Sequence, residues 1–416
     1  MDMLKGFIQK ATNGKYTVFA LLYLGWCISY IDRAAMNIAL AAIGKEFSLN
    51  PASMGVVLST FFIGYAAMQL PGGWMADKFG SKRVIIGSLL MWSVFTAATG
   101  VAWSLTSLIV IRLLFGFGEG AFPCATLKGI AEYFPKSERP KMSGALLSSN
   151  YIGSAIAPMI IAPLLMYMGW RHMFFVIGIA GIAFIAIYWL LIKPARKPTE
   201  AEQKKEDAVK ISARELLKIP LMWQLVFAWF ALSLINKGLD SWMPTYLLTV
   251  RHLDLKSIGI LTPLPFIAAG IATAIGGWVM DKLFDGREKY LLVIAASLTA
   301  FFLYFMYTAE SVLMVIAFQS LVYFFKSFVL AGVIAMPLKM LPGSVAGSAT
   351  GLVNLGGQSA GFASPVIIGL LIGAFNGSYD AVFWFLIGCA CLSALSSLTI
   401  KKGGKLSDRF SHTAES

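Results

Sequence analysis

Charge is what this sequence has least of. Only 13% of its 416 residues are Asp, Glu, Lys or Arg, roughly half the share carried by soluble proteins. With 58% hydrophobic residues, the chain has more apolar surface than a water-soluble fold can hide, so its solvent is expected to be lipid. Histidine is nearly absent: His172, His252 and His412 are the only three, and none lies in the centre of an apolar run. Histidine-based proton relays are therefore disfavoured. The four cysteines, Cys27, Cys124, Cys389 and Cys391, sit in apolar runs without metal-ligand neighbours, which argues against disulfides and zinc. No cofactor and no metal is expected. A nucleotide loop and a nucleophile–base set are also missing, which argues against a membrane-bound enzyme. No cleavable leader is expected, because the polar first sixteen residues run into an apolar span too long for a signal core.

Apolar runs of about twenty residues recur along the chain, the length a helix needs to cross about 30 Å of hydrocarbon. Twelve are readable, at 17–42, 52–77, 84–104, 106–133, 141–168, 171–192, 221–249, 256–281, 289–308, 311–340, 345–374 and 378–400. Between the sixth and seventh, Lys, Arg, Glu, Asp and Pro take over. The expected organisation is an N-terminal bundle (1–192), a polar linker (193–220) and a C-terminal bundle with a tail (221–416). The formal charge of +13 would suggest nucleic acid in a soluble protein. Here it follows the positive-inside rule: alternate loops, the linker and both tails carry the Lys and Arg, while the opposite loops hold only Lys45, Arg171, Arg251 and Lys256. Both termini are expected in the cytoplasm.

The halves repeat one another. Gly72-Gly73-Trp74, Asp77-Lys78 and Arg83 return 204 residues later as Gly276-Gly277-Trp278, Asp281-Lys282 and Arg287, and Asn150 returns as Asn354. Two landmarks in different spans thus share one offset, so the first span corresponds to the seventh.

The segment Gly73-Trp-Met-Ala-Asp77-Lys-Phe-Gly80-Ser-Lys82-Arg83 resembles the loop signature of the major facilitator superfamily. A narrower resemblance, to its anion:cation symporter family, is carried by Tyr30-Ile-Asp32-Arg33, Tyr65-x3-Gln69-x-Pro71-Gly72-Gly73, Arg112-x3-Gly116-x-Gly118-Glu119-Gly120, Tyr133-Phe134-Pro135-x3-Arg139 and Trp242-Met-Pro244-Thr-Tyr246-Leu247. The fifth span lacks the glycine-rich pattern of drug:proton antiporters. The resemblance implies an all-α membrane protein with twelve transmembrane helices in two pseudo-symmetric six-helix bundles. It further implies a monomer in a bacterial inner membrane, with the ligand site at the bundle interface. Gly73, Asp77, Gly80, Arg83, Asp281 and Arg287 are then gating residues, with Asp77 pairing to basic groups on the rim of its own half.

An ionisable group at the bilayer centre costs roughly 2.5–3.5 kcal/mol, so each needs a partner, water or a function. Asp32, Arg33, Arg112, Glu119, Lys237, Asp240 and Lys326 all lie inside apolar spans. With no histidine there, protons can load only onto carboxylates, and burial favours a carboxylate's neutral form. Glu119 and Asp32 are the expected proton carriers, with Arg112 as the partner of Asp32. The competing readings are a static Asp32–Arg112 or Asp32–Arg33 pair and a Glu119 bonded to backbone amides. Arg33 is expected to grip a substrate carboxylate through two parallel hydrogen bonds. Tyr30, Tyr65, Asn150 and Asn354 would serve sugar hydroxyls or merely join helices. Lys237 is the symmetry mate of Arg33 and would suit a second negative centre, unless Asp240 neutralises it. Lys326 is either a structural charge or a second anion contact. Lys128 is expected to snorkel.

The resemblance implies proton symport of a small organic anion, such as a hexuronate, aldonate or glucarate-like acid, by alternating access. The alternatives are an organophosphate:phosphate antiporter and, more remotely, a ligand-sensing receptor. Nucleic acid is not an expected partner.

Overall fold

The computed structural model describes residues 14–135, 137–192, 218–340 and 343–400. Most of the linker, the basic C-terminal tail and the residues before Gly14 lie outside this set. Among the described residues the chain is helical throughout, and its segments make up twelve rods. These are α1 (Lys15–Glu46), α2 (Pro51–Phe79), α3 (Ser81–Thr99), α4 (Leu105–Gly120 and Phe122–Tyr133), α5 (139–168), α6 (170–191) and α7 (Pro220–Thr249). They continue with α8 (Leu255–Leu261 and Pro263–Leu283), α9 (Glu288–Thr308), α10 (Val312–Met340), α11 (Gly343–Ala374) and α12 (Asp380–Leu398). Among the described residues, nine helical stretches are long and apolar enough to cross a membrane by length and composition, and one of them, Lys141–Leu191, holds both α5 and α6.

Local sequence explains the punctuation. Gly169, at φ 71° and ψ 167°, turns the chain between α5 and α6, in a region of backbone space where a Cβ is costly. Gly80, at φ 85°, does the same between α2 and α3, so the expected loop is a single residue. Asn50, Ser104 and Asp254 accept hydrogen bonds from the backbone N–H three residues on, capping α2, α4 and α8. Ser257 holds the exposed Asp254 carboxyl below its ordinary range through its hydroxyl and backbone N–H.

Two compact units emerge. The first comprises Met1–Pro198 and Ser241–Pro263, the second Thr199–Asp240 and Leu264–Ser416. Residues 241–263 go with the first unit because the short opening segment of α8 packs along the 139–191 stretch, with Gly259 against Pro158 and Ala162.

In the first unit, α1 packs along α5 and α2 along α4. The second crossing needs glycine: a Cβ on Gly116 would lie 2.2 Å from the Phe61 carbonyl, and one on Gly64 would lie 2.2 Å from that of Leu113. Without Cβ atoms the two backbones touch, which is how helices gain dispersion energy where lipid offers no hydrophobic drive. Beneath lies an aromatic core of Trp26, Phe61, Tyr65, Trp92, Phe115 and Phe122. In the second unit α9 packs against α10 and α12, while Ser364 of α11 and Ser393 of α12 donate to the α7 carbonyls of Leu234 and Ala228.

Candidate functional site

The first unit concentrates four charged side chains on α1 and α4. Ser29 and Arg33, one turn apart on α1, both donate to the same Glu119 oxygen, Oε1. Arg33 does so from Nε and Nη2 at 2.7 Å each, and Ser29 through a short hydroxyl bond. The other carboxylate oxygen, Oε2, has no hydrogen-bond partner. Glu119 is 1% exposed and Arg33 14%, so a solute can reach the guanidinium edge but not the carboxylate.

Aromatic rings hold that guanidinium in place. Its carbon lies 4.9 Å from the Tyr30 ring centre, 5.0 Å from Phe61 and 4.8 Å from Tyr65. Trp26 stacks on Tyr30 in turn, at 6.3 Å and 18°. Arg112 faces Phe61 as well, at 5.3 Å, and Phe115 at 4.7 Å. Phe61 thus serves both cations, and contacts of this kind are worth about 2 kcal/mol when desolvated.

Asp32 points elsewhere. One residue from Arg33 means about 100° around the helix, which turns it away from the Glu119 bond; its Oδ1 is buried without a hydrogen-bond partner, and so is Arg112 Nε. Asp32 feels the charges of Glu119 and Arg112 and has Thr96 of α3 beside it, but among the described residues no Asp32–Arg112 contact within ion-pair distance occurs. The close ion pair here is Arg33–Glu119.

The backbone at Glu119 is also special. Pro123 has no N–H to give the Glu119 carbonyl four residues earlier, α4 breaks at Ala121, and the Ala121 N–H takes that carbonyl instead. Gln69 of α2 reaches across to the Gly120 carbonyl at 3.3 Å.

Asn150 on α5 is half-buried with its Oδ1 unpartnered. Its symmetry mate Asn354 is exposed on α11. In the loop region, Asp77 pairs with Lys128 of α4 at 3.0 Å, so the lysine expected only to snorkel supplies the rim cation. Ser81 and its backbone N–H bond to Glu132, and Lys82 donates to the last carbonyls of α6 at Trp189 and Ile192. Gly73 packs beside Cys124, and Arg83 is exposed in the first turn of α3. Asp281 and Arg287, at the end of α8 and the start of α9, are exposed as well.

The second unit has its own polar cluster on α7 and α10. Tyr323 donates to Asp240 Oδ1 at 2.5 Å. Lys326, 5% exposed, donates to Asn236 Oδ1 and lies 3.5 Å from the Tyr323 ring centre. Lys237 is half-buried on the same stretch of α7, and Lys326 feels the charges of Lys237 and Asp240. Asn236 and Tyr323 stand 204 residues after Asp32 and Glu119. The repeat could have exposed both substitutions, and Ser29 was discoverable from its spacing to Arg33. The role of Phe61 follows only from packing.

A helical bundle of this architecture, with long apolar spans and charges buried inside it, is that of a multi-pass membrane transporter. The chain belongs to the Major Facilitator Superfamily, whose family model matches residues 22–365 and 252–411. It is 33% identical to the probable sulfoacetate transporter of Cupriavidus necator, over 94% of this chain and 95% of that one. It is 28% identical to the probable galactarate/D-glucarate transporter of Escherichia coli, over 93% and 94%. Among solved structures, it resembles a bacterial homologue of the human lysosomal transporter Spinster, with a TM-score of 0.79 at 19% identity, covering 92% of this chain and 97% of that one.

Proposed function

We propose that this protein carries a small organic anion, a sugar acid or a comparably small carboxylate or sulfonate, together with protons. Import proceeds by alternating access, through one monomer, across a cytoplasmic membrane with both termini inside. The observation that carries the reading is the buried Arg33–Glu119 pair. Its guanidinium is reachable, its carboxylate is not, and one carboxylate oxygen takes every donor. Two long relatives named as organic-anion transporters support the substrate class.

The coupling follows from competition for one cation. Glu119 as a carboxylate occupies Arg33. A proton on Glu119 removes that negative charge and frees the two N–H groups, which then clasp the substrate carboxylate as a fork. Substrate and proton therefore bind together, since either alone leaves a buried charge without its partner. Tyr30, Phe61 and Tyr65 keep the guanidinium in place while it exchanges one carboxylate for another. Asp32 and Arg112, electrostatically linked to Glu119, form a second protonation site, and Asn150 offers an acceptor to substrate hydroxyls. The Asp77–Lys128 pair acts as a latch beside the glycine turn at Gly80.

The test is transport in proteoliposomes carrying an internal pH dye, with sugar monocarboxylates, sugar dicarboxylates and sulfonates added in turn. Substrate-driven acidification is expected for one class. Uptake without proton movement, for every class, would overturn the coupling.

A further inference from the structure

A buried threonine in a helix has a ready partner, the carbonyl four residues earlier on its own helix. Thr60, Thr99, Thr262 and Thr299 all use it, donating to Val56, Phe95, Ile258 and Ala295 at 2.7–2.9 Å. Thr96 of α3 forgoes it. It is 2% exposed, and its Oγ1 has no hydrogen-bond partner, although the Trp92 carbonyl stands one turn back on the same helix.

Asp32 of α1 is the group beside it. Thr96 lies near enough to act on the Asp32 carboxyl, and Asp32, 3% exposed, keeps its Oδ1 without a partner. Close packing fixes α3 at this level. A Cβ on Gly118 of α4 would lie 2.7 Å from the Trp92 backbone nitrogen, and the Trp92 ring meets Phe122 edge-on at 4.8 Å. The charged groups acting on Asp32 are Glu119 and Arg112, both from α4. Of the other helices packed on α1, α2 brings Tyr65 to Arg33 and α5 brings Tyr151 to Tyr30.

Ser93, three residues before Thr96, gives a comparison on the same helix. It is fully buried and its Oγ also lacks a partner. Ser93, however, faces α6, where a Cβ on Gly181 would lie 2.2 Å from that oxygen.

A hydroxyl suits a carboxyl that gains and loses a proton. It donates to the ionised form and accepts from the protonated one, whereas a guanidinium such as that of Arg112 can only donate. Resting on the reading of Asp32 as a second protonation site, we infer that Thr96 is a positioning residue for proton coupling, its hydroxyl following the Asp32 carboxyl through both protonation states. The ionised state gains more from it, because a hydrogen bond to a charge is the stronger one.

The test is an infrared pH titration of the purified full-length protein in liposomes, following the protonated-carboxyl band that Asp32→Asn removes. Thr96→Val keeps the shape and deletes the hydroxyl. It should move the midpoint of that band to higher pH by about one unit or more, since the charged form loses its donor. Thr96→Ser should restore the wild-type midpoint, and Ser93→Ala should leave it in place. A merely structural hydroxyl predicts otherwise: Thr96→Val would remove an unsatisfied buried group, raise the melting temperature and leave the midpoint unchanged, which would overturn the inference. An equal shift in Ser93→Ala would overturn it too, by tracing the effect to a loosened α3. If Asp32→Asn removes no titrating band, Asp32 is not a protonation site and this inference falls alone. If the band titrates but substrate drives no acidification in wild type, the symport reading falls and takes the coupling role of Thr96 with it.

Discussion

Glu119→Gln separates the Arg33–Glu119 pair from its proton. The amide keeps the shape and one acceptor oxygen for Arg33 and Ser29, but it cannot be charged or titrated. In the wild type, a substrate carboxylate must displace a carboxylate that holds Arg33 with two N–H bonds at 2.7 Å. A hydrogen bond to a charged group contributes about 1.5–3 kcal/mol net. Substrate affinity should therefore differ by roughly 10- to 150-fold between the states with Glu119 protonated and ionised, at about 1.4 kcal/mol per decade. The sign follows from linkage: substrate favours the protonated form, so wild-type binding strengthens as pH falls. In Glu119→Gln the dependence should flatten, with affinity staying near the acid-limit value of the wild type. Calorimetric titration across a pH series measures the slope, and proteoliposomes measure the consequence. Accumulation against a gradient should vanish while exchange of internal for external substrate persists. A variant that retains the wild-type pH slope, or that still concentrates substrate, would refute the competition at Arg33.

Other perturbations probe separate parts of the argument. Arg33→Lys keeps the charge but loses the planar fork and its stacking on Tyr30, Phe61 and Tyr65; substrate affinity should fall about 10- to 100-fold. Gly116→Ala forces a methyl to within 2.2 Å of a backbone carbonyl and should cost about 1–3 kcal/mol or more by overpacking, read as a lower melting temperature in detergent. Gly87→Ala, with nothing within 4 Å of the new methyl, should be neutral or stabilising by about 1 kcal/mol. Asp77→Asn breaks an exposed pair worth about 0–1 kcal/mol, so transport rate should drop while the melting curve barely moves. A matching collapse in stability would mean that the pair is structural.

What the sequence by itself determined is the solvent, the number of helices and the repeat. Apolar runs long enough to cross a bilayer leave the chain no other way to satisfy its backbone, and the offset between Gly72-Gly73-Trp74 and Gly276-Gly277-Trp278 needs no coordinates. The identity of the buried charges was legible too, because an ionisable group inside an apolar run is conspicuous wherever it points. Their partners were not. Asp32 and Arg33 are adjacent in sequence, and which of them meets Glu119 depends on the rotation of α1 about its axis. That rotation is set by contacts such as Gly153 against Cys27 and Tyr30, and Trp26 against Thr126. The same holds for Asp77, whose cation Lys128 comes from a different helix, and for Lys326, which meets an amide where composition allowed a carboxylate. Residues 241–263 joined the first unit for the same kind of reason. Hydropathy is a property of each segment alone, whereas pairing is a property of how segments turn toward one another, and only side-chain packing decides that.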